Sequence, residues 1–186
     1  MDSRAALAVE PVSLRNRGDV RRIYNDAFPK GDRIPFWMLQ TVAKRRATEM
    51  FVFRDGDAYV GVDYAVSIDG ITFVLFLAVD KRGRSRGYGS RILDQIKVDH
   101  PDDIIIVSFE PSVEGADGCG PGSRRKAFYL RNGFRETGYA GVMGGKSQEI
   151  MVYNGAFDPD SFRDFFRKYS NGATCPEIRR LRIGGR

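Results

Sequence analysis

One short stretch gathers the residue types that hold phosphate. Residues 80–90 read Asp80-Lys81-Arg82-Gly83-Arg84-Ser85-Arg86-Gly87-Tyr88-Gly89-Ser90, with four cations interleaved among glycines. An apolar run, residues 73–79, precedes it and has the length and the β-branched and aromatic content of a buried strand. After it Ile92, Leu93 and Ile96 recur at helical spacing. Main-chain N–H groups at a helix start have no partner inside the helix. Glycine lets the backbone approach a ligand, and the helix dipole favours an anion there. Strand, basic glycine turn and helix together are therefore suited to a phosphate group. Two common phosphate motifs are excluded. A dinucleotide fingerprint needs a third glycine where Ile92 stands, and no Gly-Lys-Ser/Thr loop occurs in this turn. The same residues would also suit an ordinary basic loop capping a core strand.

The turn fits a narrower pattern: Gln or Arg, two residues, Gly, one residue, Gly or Ala. Here it is Arg84-Ser85-Arg86-Gly87-Tyr88-Gly89, after a strand ending Leu77-Ala78-Val79. In this it resembles the acyl-CoA loop of the GNAT N-acetyltransferase superfamily. A second stretch, Ala127-Phe128-Tyr129-Leu130-Arg131-Asn132-Gly133-Phe134, resembles the second signature of that superfamily, a helix ending Tyr-x-x-x-Gly-Phe. The order agrees, and an apolar strand, residues 104–109, lies between them. The resemblance covers roughly residues 8–155.

The resemblance implies acetyl-CoA as co-substrate. It implies that Leu77 and Val79, with Ala78 between them, offer backbone hydrogen bonds to the pantetheine arm. It also implies that the amides of Ser85, Arg86, Gly87, Tyr88, Gly89 and Ser90, beginning from Arg84, hold the diphosphate. A side chain at Gly87 is expected to block that approach and abolish acetyl-CoA binding while leaving the fold. The implied reaction is acetyl transfer from a thioester to a primary amine, of a small molecule or a peptide, by direct attack. Such an amine is mostly protonated at neutral pH, so a base is needed. Glu110, ending the 104–109 strand, is placed for that, through water and with its pKa raised by partial burial. It could instead pair with Arg124 or Arg125. The Val79 N–H could stabilise charge on the attacked carbonyl. Tyr129 occupies the family position of the general acid toward the departing thiolate, or it simply packs beside Phe128. Many relatives carry an asparagine just after the strand that here ends at Phe109; this chain has Glu110-Pro111-Ser112-Val113. A non-catalytic acyl-CoA-binding or sensing module of the same fold is the alternative function.

The 186 residues suit one domain, here residues 1–169 followed by a basic C-terminal tail, 170–186. A hydrophobic share of 42% can form a core. No apolar run nears the roughly 20 residues of a membrane span, and the start lacks the apolar stretch of a signal peptide. Cys119, Cys175 and the lone His100 have no metal-binding spacing, so no metal is expected and the cytoplasm is the expected location. The net charge is +6. The cations cluster at the turn, at Arg124-Arg125-Lys126 and in the tail. A diphosphate and a 3′-phosphate account for the first two groups, which argues against nucleic acid. A basic RNA-associated protein using the tail is a third reading. A homodimer through a C-terminal edge strand is possible by analogy with relatives.

The elements that must position these groups follow in order. A first strand is expected at 9–14. A helix capped by Asp19 follows and is ended by Pro29, and a second helix spans 36–46 with its aromatics in the core. Strands are expected at 50–54, 59–68 and from 71, joined by Asp55-Gly56-Asp57 and Asp69-Gly70 turns. A helix at 88–98 leads to strand 104–109, which should lie parallel to 73–79 because a helix crosses between them. A mobile glycine-rich linker, 112–123, precedes a helix at 124–132 closed by Gly133. Strands at 134–142 and 148–153 and an Asp158-capped helix at 161–169 complete the chain, with 170–186 lacking clear structure. The expected fold is mixed α+β and GNAT-like. It has a mostly antiparallel sheet of about seven strands, one central parallel pair splayed at the acyl-CoA slot, and helices on both faces.

Overall fold

The computed structural model describes residues 6–30, 33–42, 47–111, 120–143 and 145–181. Among them are eight strands in one mixed sheet of order β1-β2-β3-β4-β5-β7-β6-β8, with one parallel pair. The strands are β1 (Ala8–Pro11), β2 (Thr48–Asp55), β3 (Ala58–Ile68), β4 (Ile71–Val79), β5 (Ile104–Phe109), β6 (Arg135–Met143), β7 (Lys146–Tyr153) and β8 (Glu177–Arg180). The helices are α1 (Arg17–Ala27), α2 (Phe36–Val42), α3 (Tyr88–Asp99), α4 (Pro121–Arg131) and α5 (Pro159–Tyr169). The chain falls into two compact units, Met1–Val66 with Val74–Pro101 and Ser67–Phe73 with Asp102–Arg186.

In the first unit, β2 pairs antiparallel with β1 and with β3. Alternation along β3 sends Gly61, Asp63 and Ala65 to one face and Val62, Tyr64 and Val66 to the other. All six are buried, so a helix is needed on each side. On one, Tyr64 stacks on Phe76 at 5.4 Å, and Phe76 meets Tyr24 of α1 at 4.9 Å. On the other, a Cβ at Gly61 would lie 2.4 Å from Cδ1 of Ile92, so α3 sits hard against the strand. The turn Asp55-Gly56-Asp57 has Gly56 at φ 58°, as expected of a tight hairpin.

In the second unit, β7 pairs antiparallel with β5 and β6, and β6 with β8. The Asp69-Gly70 turn has φ 51° and 76°, the signature of a type I′ hairpin. Phe162, Phe165 and Phe166 of α5 surround Phe73 at ring separations of 5.4–6.1 Å. Asp158 caps α5 through the Ser161 N–H, as expected. A cavity of about 320 Å³ opens between α5 and the N-terminal end of β5, lined by Asp69, Ile104, Ile106, Phe165 and Lys168. It lies at the end of β5 away from Glu110.

Several expectations are corrected. Helix α1 starts at Arg17, with Asn16 at its N-cap. Asn16 is buried and closes the connection from β1 by accepting from the Ser13 N–H and donating to the Pro11 carbonyl. Asp19 lies in the first turn, paired with Arg22. Trp37 is 69% exposed rather than in the core. Helix α2 is described to Val42; residues 43–46 lie outside the described residues. Helix α4 begins at Pro121, because proline is well suited to the first helical position, where its missing N–H costs nothing. The supposed linker therefore shrinks, and its residues 112–119 lie outside the described residues. Residues 177–180 of the tail form β8, the eighth strand, because they pair with Tyr139–Val142 of β6.

Asp63 is a buried carboxyl in the middle of β3, 2% exposed. Burial pushes its pKa up to about 7; the Phe51 N–H bond opposes this, and the Glu49 and Asp99 charges add to it. A group raised in the folded state stabilises it fully at low pH and loses that contribution as pH climbs through the folded value. Stability should therefore decline between about pH 4 and pH 8. Asp63→Asn should flatten that decline and exceed wild type at pH 8, measured by urea unfolding across pH.

Candidate functional site

Strand β4 ends at Val79, and the next residue, Asp80, organises the turn. Its carboxylate is 3% exposed and accepts from four donors: the Arg82 N–H at 2.9 Å, Nε and Nη2 of Arg82, and Nη1 of Arg22 on α1 at 2.6 Å. These bonds, led by those to Arg82, hold its pKa well below the usual carboxylate range. Its own N–H donates to the Val60 carbonyl, which ties the turn to β3. A single 3-10 turn, Lys81–Gly83, follows. Gly83 is buried against the Tyr88 ring, where a Cβ would come within 3.0 Å.

The chain then passes through two left-handed residues, Ser85 at φ 63° and Gly87 at φ 82°, before α3 begins. The second suits glycine. The first is a serine in a sparsely populated region, a strain of about 1–3 kcal/mol of the kind that gathers at ligand clamps. Gly87, at the N-cap, has no side chain with which to cap α3. Among the described residues, the N–H groups of its first turn are thus left for another acceptor. Tyr88 is fixed by its hydroxyl, which donates to Asp55 at 2.8 Å, and Arg91 reaches the same carboxylate at 3.4 Å.

The cations divide into two groups. Lys81 pairs with Asp26, Arg82 with Asp80 and Arg91 with Asp55, so three serve the scaffold. Arg84 and Arg86 lie on the exposed part of the turn. Leu77 and Val79 are half-buried and alternate with the buried Ala78. Gly87→Val would also carry a backbone cost: a β-branched residue at φ 82° is strained by about 1–2 kcal/mol or more. Its effect would mix strain with lost approach.

In the second unit, Tyr129 lies near the end of α4 among three aromatic rings. It stacks on Phe109 at 5.4 Å and 22°, and meets Phe128 and Phe134 edge-on at 5.2 and 5.4 Å. Its hydroxyl makes no hydrogen bond among the described residues. Burial pushes the phenol up to about 12, with Arg125 pulling slightly the other way. It is therefore protonated throughout the neutral range. Helix α4 closes on Gly133 at φ 81° as expected, and the Phe134 N–H returns to the Tyr129 carbonyl.

Glu110 follows β5, but the expected partial burial is not found. Its side chain is 53% exposed and lies 3.6 Å from Lys146, not against Arg124 or Arg125. Sequence reasoning missed three residues that shape the turn: Asp80, Arg22 and Asp55. Asp80 had a legible signal, an aspartate opening a turn and accepting from the N–H two residues on. Among the described residues no cluster of His, Cys, Asp and Glu could hold a metal ion, and no helix is long and apolar enough to cross a membrane.

No protein-family sequence profile matches the chain, and no curated protein sequence matches it. Solved structures do. A protein described as a GNAT-family acetyltransferase from Bacteroides thetaiotaomicron superposes with a TM-score of 0.72 at 20% identity, over 90% of this chain and 99% of that one. The ribosomal-protein-S18-alanine N-acetyltransferase of Escherichia coli matches with a TM-score of 0.62 at 11% identity, over 82% and 96%. An acetyltransferase of Bacillus subtilis, solved in complex with CoA, gives 0.56 at 15% identity, over 78% and 97%. The architecture is the GNAT fold.

The Asp80 bonds predict a specific acid response. A carboxylate depressed in the folded state contributes fully above about pH 4 and loses that contribution as pH falls below it. Asp80→Asn should destabilise the protein by about 1–3 kcal/mol at pH 7. The two proteins should converge toward pH 2, compared by urea midpoints.

Proposed function

We propose that the protein is an acyl-CoA-dependent N-acetyltransferase that moves an acetyl group from acetyl-CoA to a primary amine of a small molecule or peptide. The observation that carries this is the uncapped N-terminus of α3, opened by left-handed Gly87 behind the strained Ser85, in a chain of GNAT fold. The residues fit the co-substrate. Ser85 through Ser90 supply main-chain N–H groups for the diphosphate, and Arg84 and Arg86 supply charge. Leu77 and Val79, with Ala78 fixed in the core between them, present backbone groups to the pantetheine arm. When bound, acetyl-CoA supplies the activated acyl carbon and the thiolate leaving group.

The chain's own residues then divide the proton work. Glu110, exposed to water at the end of β5, takes the proton the amine must lose, through an intervening water. The Val79 N–H stabilises charge developing on the carbonyl oxygen. Tyr129 donates a hydrogen bond from its phenol to the sulfur as the C–S bond breaks. A phenol near 12 keeps its proton at pH 7, and because a thiol is the stronger acid the released thiolate takes its final proton from solvent. The CoA-bound Bacillus subtilis structure of the same fold supports the choice of co-substrate.

Thiol release from acetyl-CoA across a panel of amines and peptide N-termini tests the reading. Turnover should appear with at least one amine. Acetyl-CoA binding without thiol release for any acceptor would make the protein a binding or sensing module instead. Tyr129→Phe should lower turnover tenfold or more, with acetyl-CoA affinity within twofold of wild type. The pH profile of kcat should show no Tyr129 limb between pH 6 and 10. Unchanged turnover would remove the phenol from the reaction.

A further inference from the structure

The second unit buries one carboxylate that the proposed chemistry does not use. Glu149, in the middle of β7, is 5% exposed. Lys126 of α4 reaches it at 2.9 Å and also contacts Glu136 of β6. Two further contacts make this pair more than a generic tie. Glu149 stands directly opposite Phe109 in the β5–β7 ladder, so both side chains leave the sheet on the same face. Phe109 is the ring on which Tyr129 stacks. Tyr129 in turn follows Lys126 by three positions on α4, which places the two on one side of that helix. The contacts form a closed loop: Lys126 to Glu149, across the ladder to Phe109, through the stacked rings to Tyr129, and back along one helical turn.

We propose that the Lys126–Glu149 pair is a positioning device for Tyr129, fixing the rotation and height of α4 over β5 and β7 so that the phenol keeps its seat on Phe109. Stacking alone sets the distance between two rings but tolerates sliding. An ammonium hydrogen-bonded to a buried carboxylate does not slide, because displacement leaves a charge unpaired away from water. Glu136, more exposed than Glu149, gives the same ammonium a second carboxylate. The pair touches neither acceptor nor co-substrate in this account, and it acts through Tyr129. The proposal rests on the acetyltransferase reading for its kinetic consequence only; the placement of the ring is independent of it.

The test uses the full chain with tyrosine labelled at 13Cζ, the Tyr129 resonance being assigned by its loss in Tyr129→Phe. In Lys126→Met that resonance should move or broaden at pH 7, and in Lys126→Arg it should return to the wild-type position. Lys126→Met/Glu149→Met removes both charges and so avoids a stranded carboxylate should the single variant not fold; it should show the same displaced resonance. Where the wild type turns over an amine, Lys126→Met should lower kcat about tenfold, with KM for acetyl-CoA within twofold. In a Tyr129→Phe background the same substitution should cost nothing more. An unmoved resonance, or a kcat loss that persists undiminished without the phenol, would overturn the proposal. A wild type with no turnover would refute the acetyltransferase reading, and the resonance alone would then decide the positioning claim.

Discussion

A helix start can receive an anion only while its first N–H groups stay uncovered and its approach keeps one shape. The turn between β4 and α3 meets that demand through one buried carboxylate. Asp80 leaves the strand, turns inward and gathers the Arg82 backbone and side chain together with Arg22 of α1. The bend at Ser85 and Gly87 can then be strained and open, because its root is held on three sides. Without Asp80 the same glycines would supply freedom rather than form.

This arrangement also explains the charge of the turn. A basic cluster in sequence suggests a field aimed wholly at the ligand. In the structure Lys81, Arg82 and Arg91 each meet an aspartate and serve as struts. On the proposed reading, selectivity for a nucleotide tail depends more on directed main-chain donors than on net charge, with Arg84 and Arg86 as the exposed contribution. Donors fixed by the backbone need no reorganisation when the ligand arrives, whereas long cationic side chains lose rotamer freedom.

The fold was legible where burial leaves a periodic mark. Residues 104–109 are apolar but for Ser108 and form β5 with those bounds, and Tyr88 opens α3 as its glycines and apolar spacing suggest. Gly133 closes α4 for the reason glycine usually does. The signals that failed were those whose partner is distant. Nothing local distinguishes Glu149 or Asp63 from solvent-facing acids on a strand, since their burial depends on helices packed over them. Glu110 shows the converse, a strand-end acid that looks set for burial and stays half exposed beside Lys146. Pro121 reads as a loop residue beside glycines, yet it starts a helix. The strand at 177–180 is short and charged, and only pairing with β6 defines it.

The central claim is that the amides of residues 85–90 receive the diphosphate of acetyl-CoA, and titrating CoA into 15N-labelled protein tests it most directly. The account predicts the largest amide shifts at Ser85 through Ser90, saturating together with a single affinity. Perturbations that bypass that turn and gather elsewhere, for example around the Asp69-Gly70 hairpin, would contradict it.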